Sequence, residues 1–191
     1  IGNLKAQIRI FDINSKVVLE ENISFDAEPD SAISLFQMGI IENISPAYFV
    51  DLRLNDAGGN EISNNFYWLS TKEEILDYEA DLGEFAFHTP SKQYADLRLL
   101  NELPQADLYV TYSIEENEIE NEITVTLDNQ GESIAFLINL KLMDKASGEP
   151  VLPVFWEDNF ISLLPYEKRT LRATFGSGIK AVLKVEGWNV E

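Results

Sequence analysis

Apolar and polar residues alternate strictly along several short stretches of this chain. The clearest stretch is residues 122–128, where Ile123, Val125 and Leu127 fall on one side and two threonines on the other. A period of two places alternate side chains on opposite faces, so each such stretch is predicted to be a half-buried β-strand. The same alternation recurs at residues 6–10, 50–54, 108–112, 171–175 and 179–185.

Turn-forming residues separate these predicted strands. Asn14–Lys16 and Asp56–Asn60 interrupt the apolar runs of the first half, and Asp128–Gly131 and Lys145–Gly148 do so in the second. Gly and Asn tolerate a positive φ, and Asp and Asn bond to their own backbone, which favours turns at these places. Short strands separated by such turns are typical of an immunoglobulin-like β-sandwich.

Helical signals are few. The string Thr71–Leu76 predicts one short helical turn, with Thr71 as its N-cap and Glu74 three residues later. Leucines at helical spacing predict a second short helix within residues 94–103, which Pro104 would end because proline cannot continue a helix.

The fold prediction is therefore all-β, with two tandem immunoglobulin-like β-sandwich domains and minor short helical segments near residues 71–78 and 94–103. We place the boundary at about residues 103–106, where the second helical signal ends and alternation resumes. The expected domains are 1–104 and 105–191, each of a size common among such sandwiches.

Composition narrows the possible functions. The chain has 191 residues, with 14 basic and 33 acidic side chains and a net charge of −19. Nucleic acids and anionic lipids are bound through Lys and Arg, so we expect no nucleic-acid partner. No apolar run approaches the roughly 20 residues that span a bilayer, so we expect no membrane insertion. The absence of cysteine excludes thiolate metal sites and cysteine nucleophiles.

The start of the sequence and its composition give two further expectations. The first residue is Ile1, and no basic and then apolar leader follows it. We therefore expect a mature product or an excised fragment. The acidic surface and the lack of cysteine suggest a bacterial protein, which we expect to be periplasmic or extracellular.

Four strings resemble, in the same order, the region that follows the catalytic barrel in one branch of glycoside hydrolase family two. They are residues 64–79 (NNFYWLSTKEEILDYE), 94–104 (YADLRLLNELP), 151–165 (VLPVFWEDNFISLLP) and 185–189 (VEGWN). This branch contains the exo-β-glucosaminidases, the endo-β-mannosidases of N-glycan linkages and related β-mannosidases. The resemblance covers nearly the whole chain and is most specific from about residue 47 onward.

The resemblance implies an architecture and a role. Enzymes of this branch carry a jelly roll, an immunoglobulin-like domain, a (β/α)₈ barrel and two further sandwiches, and this chain is similar to the last two. The barrel supplies both catalytic glutamates of the family, and no position here matches their motifs. The expected function is a non-catalytic C-terminal accessory region without metal or cofactor. Its partner would be the catalytic barrel of the same polypeptide, which acts on β-mannosides or β-glucosaminides.

Other candidate chemistry in the sequence has a simpler explanation. The adjacent glutamate pairs Glu73/Glu74 and Glu115/Glu116 would point to opposite faces of a strand, and a glycosidase needs two facing carboxylates. Asp26–Asp30 lacks the spacing of a calcium loop, which favours an acidic turn. His88 is the single histidine, and it has no evident nucleophile partner for general-base catalysis.

The aromatic residues are the main candidates for a functional surface. Trp156 and Phe160 flank the polar residues Asp158 and Asn159, and Trp68 lies in an aromatic triplet near the middle of the first half. Three interpretations stay open for these five residues. They form core, they form the seam against the missing barrel, or they contact carbohydrate by stacking and hydrogen bonding. Residues 156–160 are the preferred candidate for the seam.

Two other functions remain as alternatives. A stand-alone carbohydrate-binding module would bind sugar through an exposed aromatic platform. A structural or adhesive immunoglobulin-like pair from a cell surface would bind no sugar and would have no catalytic barrel upstream.

Overall fold

Nearly all regular secondary structure in the described chain is antiparallel β-strand, which confirms the predicted all-β fold. The computed structural model describes residues 1–83 and 87–190, which form two compact units, Ile1–Leu103 and Pro104–Glu191. A short 3₁₀-helix covers Arg98–Glu102. The strands are β1 (Leu4–Phe11), β2 (Val17–Phe25), β3 (Ala47–Asn55), β4 (Glu61–Ser70), β5 (Ile75–Leu76), β6 (Ser91–Gln93), β7 (Leu108–Glu115), β8 (Glu120–Asn129), β9 (Ala135–Asp144), β10 (Val154–Trp156), β11 (Ile161–Leu163), β12 (Lys168–Gly176) and β13 (Ala181–Glu186).

The first unit is built on a four-stranded sheet in the order β2-β1-β3-β4. Aspartates close its hairpin turns. Oδ1 of Asp12 accepts the N–H groups of Asn14 and Lys16, both at 2.9 Å, and Asp56 closes the β3–β4 hairpin in the same way. The predicted turns therefore follow the predicted strands at residues 6–10 and 50–54, and they lead into β2 and β4, which alternation did not predict.

Buried apolar side chains of the first unit lie on both faces of this sheet. On one face Phe49 is fully buried. On the other face Ile10, Tyr48 and Val50 form a cluster, and Ile41 and Ile44 pack on it from the connection between β2 and β3. From Ala27 onward that connection has neither strand nor helix. The second sheet of this unit, β5 with β6, is two-stranded and short.

The second unit is a sandwich of two sheets, in the orders β10-β12-β8-β7 and β11-β9-β13. Alternate residues of β8 point between the sheets, and Ile123, Val125 and Leu127 are fully buried. These are the residues that alternation placed on one side of a strand. The remaining inward-facing residues of the core come mainly from β9 and β12 and include Ile138, Leu140, Leu142, Leu171, Ala173 and Phe175.

Three buried asparagines, Asn121, Asn129 and Asn189, tie loops of the second unit to one another. Each donates its side-chain N–H groups to backbone carbonyls. The acceptors are Gly176 and Ile179 for the first, Ser133, Leu163 and Leu164 for the second, and Pro104 and Ile134 for the third. Because a buried polar group is costly without a partner, these amides fix the ends of the sandwich.

The prediction of a helical turn at Thr71–Leu76 was wrong. The N–H of Thr71 donates to the carbonyl of Pro46 at 2.9 Å, and β5 pairs with β6 instead of continuing a helix. Backbone partners distant in sequence outweigh a weak local capping signal. Within residues 94–103, only the 3₁₀-helix forms, and it stops two residues before Pro104.

Ion pairs on the outward side of the smaller sheet in the second unit predict that the stability of this unit depends on pH. Glu186 bonds to Nζ of Lys141 at 2.5 Å and of Lys184 at 2.7 Å, which lowers the pKa of its carboxyl from 4.5 to about 2. A carboxyl with a lowered pKa stabilises the fold above its unfolded value, and that stabilisation is lost as the pH falls toward about 2.

We therefore expect Glu186→Gln to lower the stability of the second unit at neutral pH. The difference from the native chain should shrink below about pH 4.5 and vanish near pH 2. Urea unfolding across this range measures it. Glu149→Gln is the control, because Glu149 is exposed and has no Lys or Arg partner among the described residues. A difference that does not change with pH would contradict the prediction.

Candidate functional site

Four of the five residues that the sequence singled out lie in one connection of the second unit. Trp156 ends β10, Asp158 and Asn159 follow it, and Phe160 directly precedes β11. We call residues 156–160 the aromatic turn; it leads from one sheet of the sandwich to the other. The fifth residue, Trp68, lies in β4 of the first unit.

The two aromatic residues at the end of β10 point in opposite directions. Trp156 lies opposite Ala173, whose side chain faces the core, and it packs half-buried against the main apolar cluster. Phe155 lies opposite Thr174 and is 68% exposed. Of the three interpretations left open by the sequence, core packing describes the side chain of Trp156.

Asn159 anchors the aromatic turn to β9. Its Oδ1 accepts the N–H of Leu140 at 2.8 Å, and its Nδ2 donates to the carbonyl of Leu140 at 2.9 Å. The side-chain amide therefore takes the place of a paired strand residue. Its Oδ1 also accepts the N–H of Phe160 at 2.9 Å, which fixes the next residue of the turn.

Asp158 anchors the turn to β12. Its carboxylate accepts a hydrogen bond from Nη2 of Arg169 at 2.7 Å, and it also accepts the N–H of Asn159 at 2.8 Å. Sequence reasoning missed Arg169. Its strand was predicted only from residue 171 onward, and no local pattern relates position 169 to position 158.

Phe160 is exposed and has an unusual backbone conformation. Its φ is +54°, in the left-handed region that bulky residues rarely adopt, and its side chain is 61% exposed. Such a conformation costs about 1–2 kcal/mol and persists only where its surroundings impose it. The bonds of Asn159 and Asp158 impose it here. The turn thus presents an aromatic side chain outward from a backbone that these bonds hold in place.

Trp68 belongs to a strand with apolar residues exposed on both faces. It lies opposite Phe49 and is 39% exposed, while its neighbours Tyr67 and Leu69, on the other face, are exposed to a similar extent. β4 is an edge strand of its four-stranded sheet. Long edge strands with exposed apolar residues are normally covered by other parts of a protein.

The remaining titratable candidates are placed on the surface of the described chain. His88 lines an open cavity of about 220 Å³ together with Asp77 and Asp81. Oδ1 of Asp77 is 3.1 Å from Nζ of Lys92. Asp26 accepts the N–H of Asn3 at 2.7 Å. Within residues 1–83 and 87–190, no group of three or more His, Cys, Asp or Glu side chains could hold a metal ion.

The adjacent glutamates have separate environments. Glu74 accepts the hydroxyl of Ser91 at 2.8 Å, and Glu116 pairs with Lys180. Glu115 lies directly opposite Glu122 on the neighbouring strand.

None of the helices in the described ranges is long and apolar enough to cross a membrane.

Comparison with known protein families matches both parts of the chain. Residues 86–190 match the family described as the exo-β-D-glucosaminidase Ig-fold domain. Residues 2–72 match the family described as the mannosidase Ig/CBM-like domain. The stretches 151–165 and 185–189, whose sequences resemble family two, lie within the first match.

Comparison with individual proteins shows how small a part of its relatives the chain covers. It is 34% identical over its whole length to an exo-β-D-glucosaminidase of Arthroderma benhamiae, of which it spans 21%. It is 38% identical over 78% of its length to the exo-β-D-glucosaminidase of Amycolatopsis orientalis, of which the match spans 15%. The chain thus spans about a fifth or less of these relatives.

Solved structures give the same relation. The crystal structure of the Amycolatopsis orientalis exo-chitosanase matches all of this chain with a TM-score of 0.87 and 31% identity, over 23% of its own length. A β-D-mannosidase from Dictyoglomus thermophilum matches with a TM-score of 0.51 at 19% identity, a likeness of fold alone.

Proposed function

The chain belongs to the exo-β-D-glucosaminidase Ig-fold domain family, and from this premise we propose that it is a non-catalytic accessory region of a larger glycoside hydrolase. The proposal rests on the small share of its relatives' length that the chain covers. Matched along its whole length, the chain corresponds to only about a fifth of a glycosidase relative. The other four fifths leave ample length for a catalytic barrel, which would be the partner of this chain within one polypeptide.

The proposed substrate of the parent enzyme is a β-D-glucosaminide. The relatives above 30% identity carry the name exo-β-D-glucosaminidase, whereas the mannosidase likeness falls to 19% identity. β-Mannosides are therefore the second choice. We assign no general acid, base or nucleophile to the described residues.

In this proposal the accessory region packs on the barrel and stabilises it, with the aromatic turn as the seam. The turn has the properties of an interface anchor, because Phe160 is exposed and its backbone is held before any partner arrives. A backbone that is ordered in advance loses little conformational entropy on binding, which favours affinity. Exposed aromatic residues are also enriched at interface cores.

The size and activity of the native polypeptide test the proposed function. An antibody raised against this chain should detect, in an extract of the source cells, a band several-fold heavier than 21.6 kDa. The protein in that band should release sugar from β-D-glucosaminides faster than from β-mannosides. An unproteolysed band at the mass of the chain itself would overturn the proposal and favour a binding module or a surface protein.

The variant Phe160→Gly tells whether the aromatic turn is an interface with the barrel or a free surface loop. In the 191-residue chain, glycine relieves the left-handed φ, and we expect stability to stay equal or rise by about 1 kcal/mol. In the intact parent polypeptide the same change removes a buried anchor, so we expect it to lower the thermal midpoint. Scanning calorimetry on both proteins measures the contrast.

Tyr166→Gly is the matched control for Phe160→Gly, because Tyr166 is also exposed with a φ of +61° but lies outside the aromatic turn. It should behave alike in the chain and in the parent. Stabilisation of both proteins by Phe160→Gly would show that Phe160 contacts nothing in the parent, and the seam assignment would be abandoned.

A further inference from the structure

The outward side of the sheet β10-β12-β8-β7 carries a group of short hydroxylated side chains. Strand pairing places six of them side by side on the face opposite the core, which we call the outer face. They are Thr111, Ser113, Thr124, Thr126, Thr170 and Thr174. The hydroxyls of Thr126 and Thr170 lie 3.1 Å apart and are hydrogen-bonded. Because each hydroxyl both donates and accepts, the outer face is able to form hydrogen bonds with polyols.

Two exposed aromatic rings lie at opposite corners of the outer face. Phe155 lies opposite Thr174 at one corner, and Tyr109 lies opposite Asp128 at the other. Both side chains are more than half exposed. An aromatic ring beside hydroxyls offers an apolar plane for the C–H face of a sugar ring, whose hydroxyls then reach the polar neighbours.

One row of the outer face is acidic. Across four strands, register places Phe155 next to Thr174, then Glu122, then Glu115. Like charges directly opposite each other destabilise a sheet. Neither glutamate has a Lys or Arg partner in the part of the chain that the structure describes. A cation bound between these carboxylates would remove the repulsion.

The basic side chains of the outer face lie in other rows. Arg172 lies opposite Thr124, and Lys168 lies opposite Asp128, with its Nζ 3.5 Å from that carboxylate. The end of the row at β8 and β7 is thus acidic, and the corner with Tyr109 is nearly neutral. A positively charged ligand would be attracted to the Glu122–Glu115 end of the row, while the ring of Phe155 lies at the other end.

We propose that the row from Phe155 to Glu115 binds an oligosaccharide of glucosamine in its cationic form. This inference rests on the proposed function, which names glucosaminides as the substrate class. Glucosamine carries a primary amine that is positively charged when protonated, complementary to a chain of net charge −19. The row crosses three strand spacings, about 14 Å, so it fits several sugar rings. The accessory region would hold the polymer near the enzyme.

Calorimetric titration of the 191-residue chain with a β-1,4-linked glucosamine hexamer tests the inference, at a pH at which the amines are protonated. The N-acetylated hexamer has the same backbone and no charge. We expect binding of the cationic hexamer that weakens as salt is added, and markedly weaker binding of the acetylated one. Backbone amide shifts on binding should concentrate in β7, β8, β10 and β12.

Matched variants locate the site. Glu122→Gln and Phe155→Ala should each weaken binding by about two- to fivefold, the range of one exposed contact. Glu149→Gln and Tyr166→Ala remove an exposed carboxylate and an exposed ring elsewhere in the same unit, and should leave affinity unchanged. If a variant fails to fold, the amide shifts of the native chain still decide the question.

Three results would overturn the inference: no binding, equal binding of the two hexamers, or equal losses from the test and control variants. Equal losses would mean diffuse attraction by net charge. These failures are distinct from failure of the proposed function. A heavy native polypeptide that cleaves glucosaminides would sustain that function even if this chain binds no hexamer.

Discussion

Asn189→Ala is expected to destabilise the second unit by about 3 kcal/mol or more. The side chain makes three hydrogen bonds: Oδ1 accepts the N–H of Phe136 at 2.9 Å, and Nδ2 donates to the carbonyls of Pro104 at 2.7 Å and Ile134 at 2.8 Å. Alanine removes all three bonds, two of which lie in the interior, and losing the partner of a buried polar group costs about 1–3 kcal/mol. Urea unfolding measures the loss, and amide exchange assigns it to the second unit.

The backbone around Asn189 explains why water cannot easily replace its amide. The carbonyl of Asn189 accepts the N–H of Ala106 at 2.9 Å, and the N–H of Trp188 donates to the carbonyl of Phe136 at 2.9 Å. The indole of Trp188 packs edge-on against Phe136, with ring centroids 6.2 Å apart. This segment therefore closes the sandwich at the start of β9, the central strand of the smaller sheet.

Asn139→Ala is the matched control for Asn189→Ala. Asn139 lies on β9 opposite Glu186 and is only half-buried. Its loss should cost well under 1 kcal/mol, as for most surface substitutions. Equal losses for Asn189→Ala and Asn139→Ala would mean that the amide bonds at position 189 are individually dispensable.

The strands that could be predicted from sequence alone carry mainly apolar side chains on one face and mainly polar side chains on the other. In β8 the inward residues are apolar and fully buried while the outward ones are polar, so alternation is explicit. β4 could not be recognised in this way, because nearly every residue of it is exposed on both faces. Its stretch was noticed only through its resemblance to a family.

The anchors of the loops could not be predicted, because they depend on partners far away in sequence. Asn129 was expected only to form a turn, yet its amide also binds carbonyls 34 and 35 residues later. The aromatic turn was found as a local string, but the inward direction of Trp156 follows from its pairing with Ala173. The seam, the sugar contact and the location outside the bacterial cytoplasm stay predictions.

Asp51→Ala is expected to destabilise the first unit by about 3 kcal/mol. The carboxylate of Asp51 is almost fully buried and accepts hydrogen bonds from Nη2 of Arg9 at 2.7 Å and from Nε of Arg53 at 3.1 Å. Alanine leaves two guanidinium groups beside each other on one sheet face without their shared counter-ion. Removing one partner from a buried ion pair typically costs about 3–5 kcal/mol, and the partial exposure of both arginines favours the lower value.

The triple variant Arg9→Met/Asp51→Leu/Arg53→Met tells whether the charges or the packing carry this stability. Apolar side chains of similar length then cover the same strands, and replacing a buried ion cluster in this way is often neutral or stabilising. The carboxylate of Glu61, 3.4 Å from Arg53 in the native chain, keeps its charge, but it is exposed to solvent. We therefore expect the triple variant to recover most of the stability that Asp51→Ala loses, measured by urea unfolding of the 191-residue chain. Arg9 also lies over the ring of Phe11, 5.9 Å from its centroid, so methionine must replace that contact as well. If the triple variant were as unstable as Asp51→Ala, the loss would come from packing around position 51, and the two arginines would not depend on the aspartate.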